Sequence, residues 1–520
     1  MNRPFSSRKS IALLLVIMLL VSAVPAFASA ESVEVSKDSY PIVKEKITIK
    51  GIMPDNPWAK PYGELLMAQW MEEMTNIQID MEVVPSSAYP DRKSIILASD
   101  DYPEFFYMAD LLPDEIRLHG KSGTFIDLLP LIEAGYAPNL KKFMDANPEI
   151  LRSVGSPMYA LPYIMNDLNE PFISINTKWM EKLGLSEPQN LDEFVEILRA
   201  FRDKDPNGNG LQDEIPFSSA FNVHWLYPYA TLFGIPTNGF YVDGDKVVYG
   251  ATTDNFKEFL KFMRMCFEEK LLDNNVLVQA VPNDELVMAA AREEKIGSIY
   301  LAYPSIIFGA ELAGDYGVLV PFKAEGKDAA VWPESITVIN GTFAITDKCK
   351  NPEALLRWVD FFYSKEGMEM MWMGKEGVTF ERDAEGIWNY TKPDPSIEDL
   401  AFKGSFSVQG GHYFPGYNEP AIDGNTSNPE LRRVVALRER LKPLFVPTLP
   451  SVTFTDEETE FMALYQIDID NYLIQTTAAF INGDIDIDAG WEEYKATLES
   501  MELTRLTEII QAAYDRYMSQ

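Results

Sequence analysis

Short apolar runs alternate with amphipathic segments near the start of the chain, and this alternation is what most constrains the fold. The sequence predicts strands at 47–52, 77–84 and 104–108, with helices at 63–74 and 91–98 between them. Strands that alternate with helices usually form a mainly parallel sheet with helices on its faces. We therefore expect an α/β protein.

The same pattern returns further along the chain. A strand at 172–176 is followed by a short helix at 177–183, and a longer helix opens at Asn190. The segment 240–249 reads as a β-hairpin with Asp-Gly near its turn. A chain of 520 residues has room for two or three domains. Because no Gly/Ser-rich linker separates the two α/β units, we expect lobes joined by several chain crossings.

The N-terminus has the features of a secretory signal peptide over residues 1–30. Three basic residues precede an almost wholly apolar stretch at 11–24, and a small-x-small cleavage site ends at Ala30. No cysteine stands directly after the apolar stretch, so lipid anchoring by the usual route of exported lipoproteins is not expected. We predict an exported protein that is extracellular or held in the cell envelope.

Charge and cysteine content exclude several classes of protein. The formal net charge of −34 disfavours nucleic acids and anionic membrane surfaces as partners, since both attract basic patches. Two cysteines, Cys266 and Cys349, are too few for a disulfide scaffold. A single bridge between them and a pair of buried free thiols both remain open.

A run of oxygen-bearing side chains between Asp205 and Glu214 is typical of a calcium-binding loop. Oxygens alternate along the first five positions, and Gly210 stands at the sixth, where a sharp turn is needed. The candidate ligands are Asp205, Asn207, Asn209, the carbonyl of Leu211, Asp213 and Glu214. The twelfth position is Pro216 instead of the EF-hand glutamate, so we predict a variant loop that binds Ca²⁺. The alternative is a surface turn that binds nothing.

Signatures of catalysis are scarce, and we predict no catalytic residue. The chain has three histidines and lacks the HExxH, GxSxG and P-loop motifs. Acidic pairs are so frequent in this composition that they do not single out a glycosidase site. We therefore expect a binding protein and not an enzyme.

Aromatic residues at turns and strand ends are candidates for ligand contact. Ligands of open α/β sheets lie beyond the carboxyl ends of strands, and flat aromatic faces can stack on sugar rings. The predicted ligand-binding residues are Trp58, Trp225, Tyr303 and Tyr417 for stacking, and Asn56, Asp110 and Glu419 for polar contact. For any one of them, ordinary packing is the alternative. Trp358 lies on a predicted helix and is expected in the core.

Several segments together resemble one known family. They are 158–163 (MYALPY), 176–185 (NTKWMEKLGL), the calcium-type loop, 347–354 (DKCKNPEA), 357–367 (RWVDFFYSKEG) and 509–517 (IIQAAYDRY). In these segments the chain resembles the extracellular solute-binding proteins of ABC importers, specifically the large group that includes LplA-like lipoproteins and alginate-oligosaccharide-binding proteins.

The resemblance implies a periplasmic-binding-protein type II fold, in which two α/β lobes close on a solute by hinge motion. It places lobe 1 at 31–165 with 338–405, and lobe 2 at 166–337 with 406–520. It makes the Ca²⁺ ion a structural element of lobe 2. It further implies a monomer that captures an oligosaccharide or other solute and delivers it to the permease subunits of an ABC transporter. A secreted hydrolase or lyase, or a ligand sensor that docks onto a receptor, are the alternatives.

Overall fold

The computed structural model describes residues 33–165, 171–219, 223–277, 284–301, 304–327, 329–334, 338–408, 412–419 and 421–519. Its strands are β1 Ile47–Pro54, β2 Ile77–Val84, β3 Phe105–Tyr107, β4 Leu161–Met165, β5 Phe172–Asn176, β6 Ser218–Ser219, β7 Phe240–Asp243, β8 Lys246–Tyr249, β9 Ser298–Leu301, β10 Tyr316–Val318, β11 Trp332–Pro333, β12 Val338–Ile345, β13 Phe380–Arg382, β14 Trp388–Tyr390, β15 Gly416–Asn418 and β16 Phe445–Val446. The predicted signal peptide lies outside the described residues.

Helices cover both units. The longer ones are Leu66–Thr75, Tyr89–Ser99, Pro113–Lys121, Pro138–Ala146, Thr177–Leu183, Leu191–Asp203, Asp254–Glu268, Asp284–Arg292, Pro304–Ala313, Pro352–Asp360, Lys365–Trp372, Pro429–Glu439, Asp456–Asn482, Ile487–Ser500 and Leu503–Ser519. No helix among the described residues is both long enough and apolar enough to cross a membrane.

The first unit is built on a six-stranded sheet of order β15-β4-β12-β3-β1-β2. β1 pairs in parallel with both β2 and β3, as the alternation of strands and helices predicts. β12 then pairs antiparallel with β3 and β4. The core of this unit includes Trp358, which is fully buried as expected. Cys349 lies half-buried at its edge.

The second unit is built on a four-stranded sheet of order β10-β5-β9-β6. β5 pairs antiparallel with β9 and β10, and only β6 pairs with β9 in parallel. The predicted hairpin forms as β7 and β8, with Asp243 opposite Lys246 and Gly244 at a φ of 64° in the turn. Cys266 is buried in this core, and both cysteines are free thiols. The bridge left open by the sequence does not form.

The chain changes unit between β4 and β5, between β11 and β12, and between β15 and the helix Pro429–Glu439. β11 and β16 lie side by side at one of these places, where Glu334 N donates to Val446 O at 3.0 Å. Side chains also join the units, because Asp456 forms ion pairs with Arg117 and Lys121. The two sheets therefore belong to separate lobes joined by several crossings.

Candidate functional site

The turn that follows β1 presents an aromatic ring at the carboxyl end of the first sheet. Trp58 is 45% exposed. Asn56 is buried instead, and its Nδ2 donates to Val408 O at 3.2 Å. The segment before Val408 approaches so closely that a Cβ on Gly404 would lie 2.0 Å from the carbonyl oxygen of Trp58. Of these two predicted residues, Trp58 is open to a ligand and Asn56 fixes the turn.

A chain of polar contacts joins three strand ends of the first sheet. Ser86 Oγ lies 2.8 Å from Asp55 Oδ1 and 3.0 Å from His412 Nε2. The other ring nitrogen of His412, Nδ1, pairs with the carboxylate of Asp110. The side chain of Asp110 is 46% exposed and that of His412 is 17% exposed. The structure thus brings the predicted residue Asp110 together with Asp55, Ser86 and His412, which the sequence did not single out as ligand contacts.

Asp110 belongs to a strained loop that follows β3. Met108 and Asp110 have φ values of 48° and 44°, a left-handed conformation that is unfavourable for residues other than glycine. The neighbouring strand holds the loop, because Ala109 N donates to Thr342 O and Leu111 N donates to Gly341 O, both at 3.0 Å. The loop is fixed by its surroundings and not by its own preference.

Two tyrosines close to His412 differ in their exposure. Tyr413 is 42% exposed, and its ring centroid lies 5.2 Å from that of the buried Tyr163. Tyr417, the predicted stacking residue, is buried against Phe143 with centroids 4.7 Å apart. Burial raises the pKa of Tyr417 to about 12, with a contribution from the charge of half-buried Glu419. The ring of Tyr417 packs into the core of the first unit, so Tyr413 offers the exposed ring.

The second unit contributes a cavity of about 440 Å³ next to a crossing between the units. Its aromatic walls are Tyr227, Phe240, Tyr300 and Trp332, and its polar groups are those of Thr231, Thr237, Asn238, Glu334 and Thr448. Few polar groups among many apolar ones are typical of small-molecule sites.

Trp332, one of the residues that line this cavity, has a buried indole N–H group. Its indole is 1% exposed, and Nε1 has no hydrogen-bond partner among the described residues. A buried donor of this kind usually finds an acceptor in protein, water or ligand. The predicted residue Tyr303 lies outside the described residues, and so does the side chain of Trp225.

The calcium-type loop folds around the carboxylate of Asp205. The backbone N–H groups of Gly208, Asn209 and Gly210 all donate to it, at distances of 2.8 to 3.1 Å. The side chain of Asn209 closes the loop further, since Nδ2 donates to Asp213 Oδ1 at 3.0 Å. These contacts are those of a tight turn held by hydrogen bonds to side-chain oxygens.

Glu214 decides whether the loop fits a metal ion. Both oxygens of its carboxylate are buried, and neither accepts a hydrogen bond of good geometry from the described residues. Burial raises the pKa of Glu214, and the charges of Asp205 and Asp213 raise it further, against the nearby N–H groups of Asn207 and Glu214. A buried carboxylate without a partner is unfavourable. A cation in the loop would relieve this cost.

The oxygens available suit calcium better than a transition metal. No cluster of three or more His, Cys, Asp or Glu side chains close enough to hold a metal occurs in the described ranges. A Ca²⁺ ion bound here would need the amides of Asn207 and Asn209 and a backbone carbonyl as well as carboxylates, and these are hard ligands that Ca²⁺ accepts. Lys295 Nζ lies 3.0 Å from Asp213 Oδ2 and neutralises part of the charge.

Two lobes with a ligand-sized aromatic cavity beside their crossings define a solute-binding protein. The chain belongs to the family of bacterial extracellular solute-binding proteins, whose family model matches residues 56–369. Matches to proteins of known name or structure agree with this assignment.

The fructooligosaccharide ABC transporter substrate-binding protein FusA of Streptococcus pneumoniae serotype 4 is 27% identical over 525 residues, covering 95% of this chain and 94% of FusA. Lipoprotein LipO of Bacillus subtilis is 29% identical over 47% of this chain and 49% of its own length. The structure of FusA in complex with kestose superposes with a TM-score of 0.76 at 25% identity, covering 91% of this chain and 100% of FusA. FusA shares with this chain the two-lobed fold that the sequence predicts.

Proposed function

We propose that this protein captures an oligosaccharide between its two lobes and delivers it to an ABC permease. The observation that carries the proposal is the aromatic cavity of the second unit, whose lining also includes the polar groups of Thr231, Asn238 and Glu334. Sugar rings offer apolar faces that stack on aromatic rings, and hydroxyls that satisfy such donors and acceptors.

The open end of the first sheet supplies the opposite wall in this proposal. Trp58 and Tyr413 are exposed rings, and the Asp110 carboxylate, which pairs with His412, is a half-exposed acceptor. A solute that contacts both walls binds the closed form more tightly than the open form, and so favours closure. An oligomer of several sugar rings offers contacts for both walls in this proposal, whereas a single ring offers fewer.

Relatives support the class of solute. FusA is named for fructooligosaccharides, and YtcQ of Bacillus subtilis is named as a polygalacturonan- and rhamnogalacturonan-binding protein. A structural neighbour from Bifidobacterium longum infantis is described as binding human milk oligosaccharides. On these grounds we propose that this chain binds an oligosaccharide. We further propose that it is exported, acts as a monomer and has the permease subunits of an ABC transporter as its partners.

The lobes are proposed as 31–165 with 338–405 and 166–337 with 406–520, with one adjustment. β15 pairs with β4 of the first sheet, so the segment 412–419 goes with lobe 1. The chain then enters lobe 2 before the helix Pro429–Glu439.

A calorimetric panel tests the proposed function. Kestose, a human milk tetrasaccharide, an alginate oligomer and an oligogalacturonide are titrated into the purified protein, together with glucose as a single-ring control. We expect one oligosaccharide class to bind and glucose not to. Absence of binding across the panel, or the release of new reducing ends or double bonds over time, would contradict a binding-only role.

We also propose that the loop Asp205–Glu214 holds one structural Ca²⁺ through the six predicted ligands. The carboxylate of Glu214 supports this, because its buried oxygens accept no hydrogen bond of good geometry from the described part of the chain. One structural neighbour is described as an EF-hand mutant of FusA, and another as the alginate-binding protein AlgQ2 without calcium ion. Equilibrium dialysis against Ca²⁺ with metal analysis should give one ion per chain, and none for Asp205→Ala.

A further inference from the structure

A lysine is buried directly behind the strained loop that carries Asp110. Lys93 lies on the helix Tyr89–Ser99 and is 4% exposed. Its ammonium donates to Asp110 O at 2.7 Å and lies 3.5 Å from Ala109 O. It also pairs with Glu115 Oε2 at 2.7 Å. A buried cation is tolerated only when it is paired and hydrogen-bonded, and these three acceptors meet that condition.

All three acceptors lie in or next to the loop. Two are carbonyls of residues 109 and 110 themselves. The third, the Glu115 carboxylate, also accepts a hydrogen bond from Leu112 N at 2.8 Å, where the loop enters the helix Pro113–Lys121. The lysine therefore ties the loop to two helices at once. It does so beside the two residues with left-handed φ values, where the backbone has least tendency to hold its shape.

We infer that Lys93 is a positioning residue for the first-sheet wall of the solute site. Its ammonium fixes the backbone of residues 109–112, so that the Asp110 carboxylate points at His412 and at the open face. His412 in turn contacts Ser86 and precedes the exposed ring of Tyr413. The inference rests on the proposed function for its effect on affinity, but its effect on His412 does not depend on any solute.

Lys93→Met removes the ammonium and keeps the apolar stem. The matched control is Arg357→Met, because Arg357 is a second buried cation of the same unit, 5% exposed, and its partners are Asp360, the carbonyl of Lys37 and the hydroxyl of Tyr40. Both variants lose a buried charge, and both should melt at lower temperature than the wild type. Only Lys93→Met should disturb the solute site.

The first readout is the pair of ring-nitrogen chemical shifts of His412 in protein with labelled histidine. The chain has three histidines, so His412→Gln assigns the resonance. We expect Lys93→Met to move the shift of the Asp110-facing nitrogen towards its value in Asp110→Asn, and Arg357→Met to leave it unchanged.

The second readout is affinity for the oligosaccharide that binds best in the panel. We expect Lys93→Met to bind roughly tenfold more weakly, the loss of about one solute hydrogen bond, and Arg357→Met to bind like the wild type. Wild-type shifts and affinity in Lys93→Met would overturn the inference. Equal losses in both variants would overturn it too, because they would reflect lower stability alone.

Glu115→Gln is the second variant if Lys93→Met does not fold. It leaves the ammonium in place with a neutral acceptor, and a smaller change of the His412 shift in the same direction is expected; an unchanged shift contradicts the inference. If no oligosaccharide binds the wild type, the proposed function fails, and the His412 shifts still decide whether Lys93 positions the loop.

Discussion

The two walls of the proposed site are held in place by different physical means. On the first unit, polar groups from three strand ends form a connected series from Asp55 through Ser86 and His412 to Asp110. On the second unit, aromatic rings line a cavity, and the packing of the core behind them determines its shape. Hydrogen bonds fix the direction in which polar side chains point, whereas packing fixes the volume of a cavity. Substitutions should therefore damage orientation on one wall and stability on the other.

The sharpest test of this difference compares two tryptophans. Trp332→Ala should lower the free energy of unfolding by about 3–5 kcal/mol, because a fully buried ring leaves a large cavity. Trp58→Ala should change it by no more than about 0.5 kcal/mol, because that ring is half in solvent. Chemical denaturation of both variants measures this, and similar losses would show that the walls are not built differently.

Calcium removal should affect the second unit more than the first. If the ion binds only the native state, chelation should cost about 3–4 kcal/mol at free Ca²⁺ of 100 to 1,000 times Kd. The melting temperature with and without a chelator measures this for wild type and Asp205→Ala. Asp243→Ala, at the exposed hairpin turn, is the control and should keep its response to chelation. An unchanged wild-type melt would leave the loop as a plain turn.

A pH titration should report on buried charge in the first unit. Burial raises the pKa of Asp360 to about 6, although Arg357 and the N–H groups of Asn139 and Leu140 oppose it. The folded protein then binds this proton more tightly than the unfolded chain does. Stability from this group should rise by about 2–3 kcal/mol as pH falls from 7 to 4. Asp360→Asn should flatten that part of the profile, and an identical profile in the variant would contradict it.

The smallest effect is expected at the exposed end of the polar series. Asp110→Asn keeps the shape of the side chain and removes its charge. We expect solute affinity to fall roughly tenfold and the melting temperature to change little, since the group is partly in solvent. Calorimetry and thermal melting of the same sample measure both quantities. A large loss of stability without loss of affinity would place Asp110 in the framework of the lobe and not in its site.

Local pattern predicted the strands and helices of both units well, and the pairing of the strands less well. Strands expected at 47–52, 77–84 and 104–108 form within a few residues of those limits, because apolar runs and helix spacing are local signals. The antiparallel partners of β5 and β12 could not be predicted, since they come from distant segments. The same holds for the site, where His412 and Asp110 are 302 positions apart. Tyr417 is buried against Phe143, a contact between segments that are distant in sequence and that carry no local signal of it. Its role as a stacking residue stays a prediction.

The pairing of β15 with β4 has a mechanical meaning. It makes the segment 412–419 part of the same rigid body as the turn at Trp58, although the chain reaches it only after passing through the other lobe. Trp58, His412 and Tyr413 should therefore travel together when the cleft opens. A solute would then contact two lobes that each move as a whole. One distance between labels on the two lobes would therefore report the change from the open to the closed form.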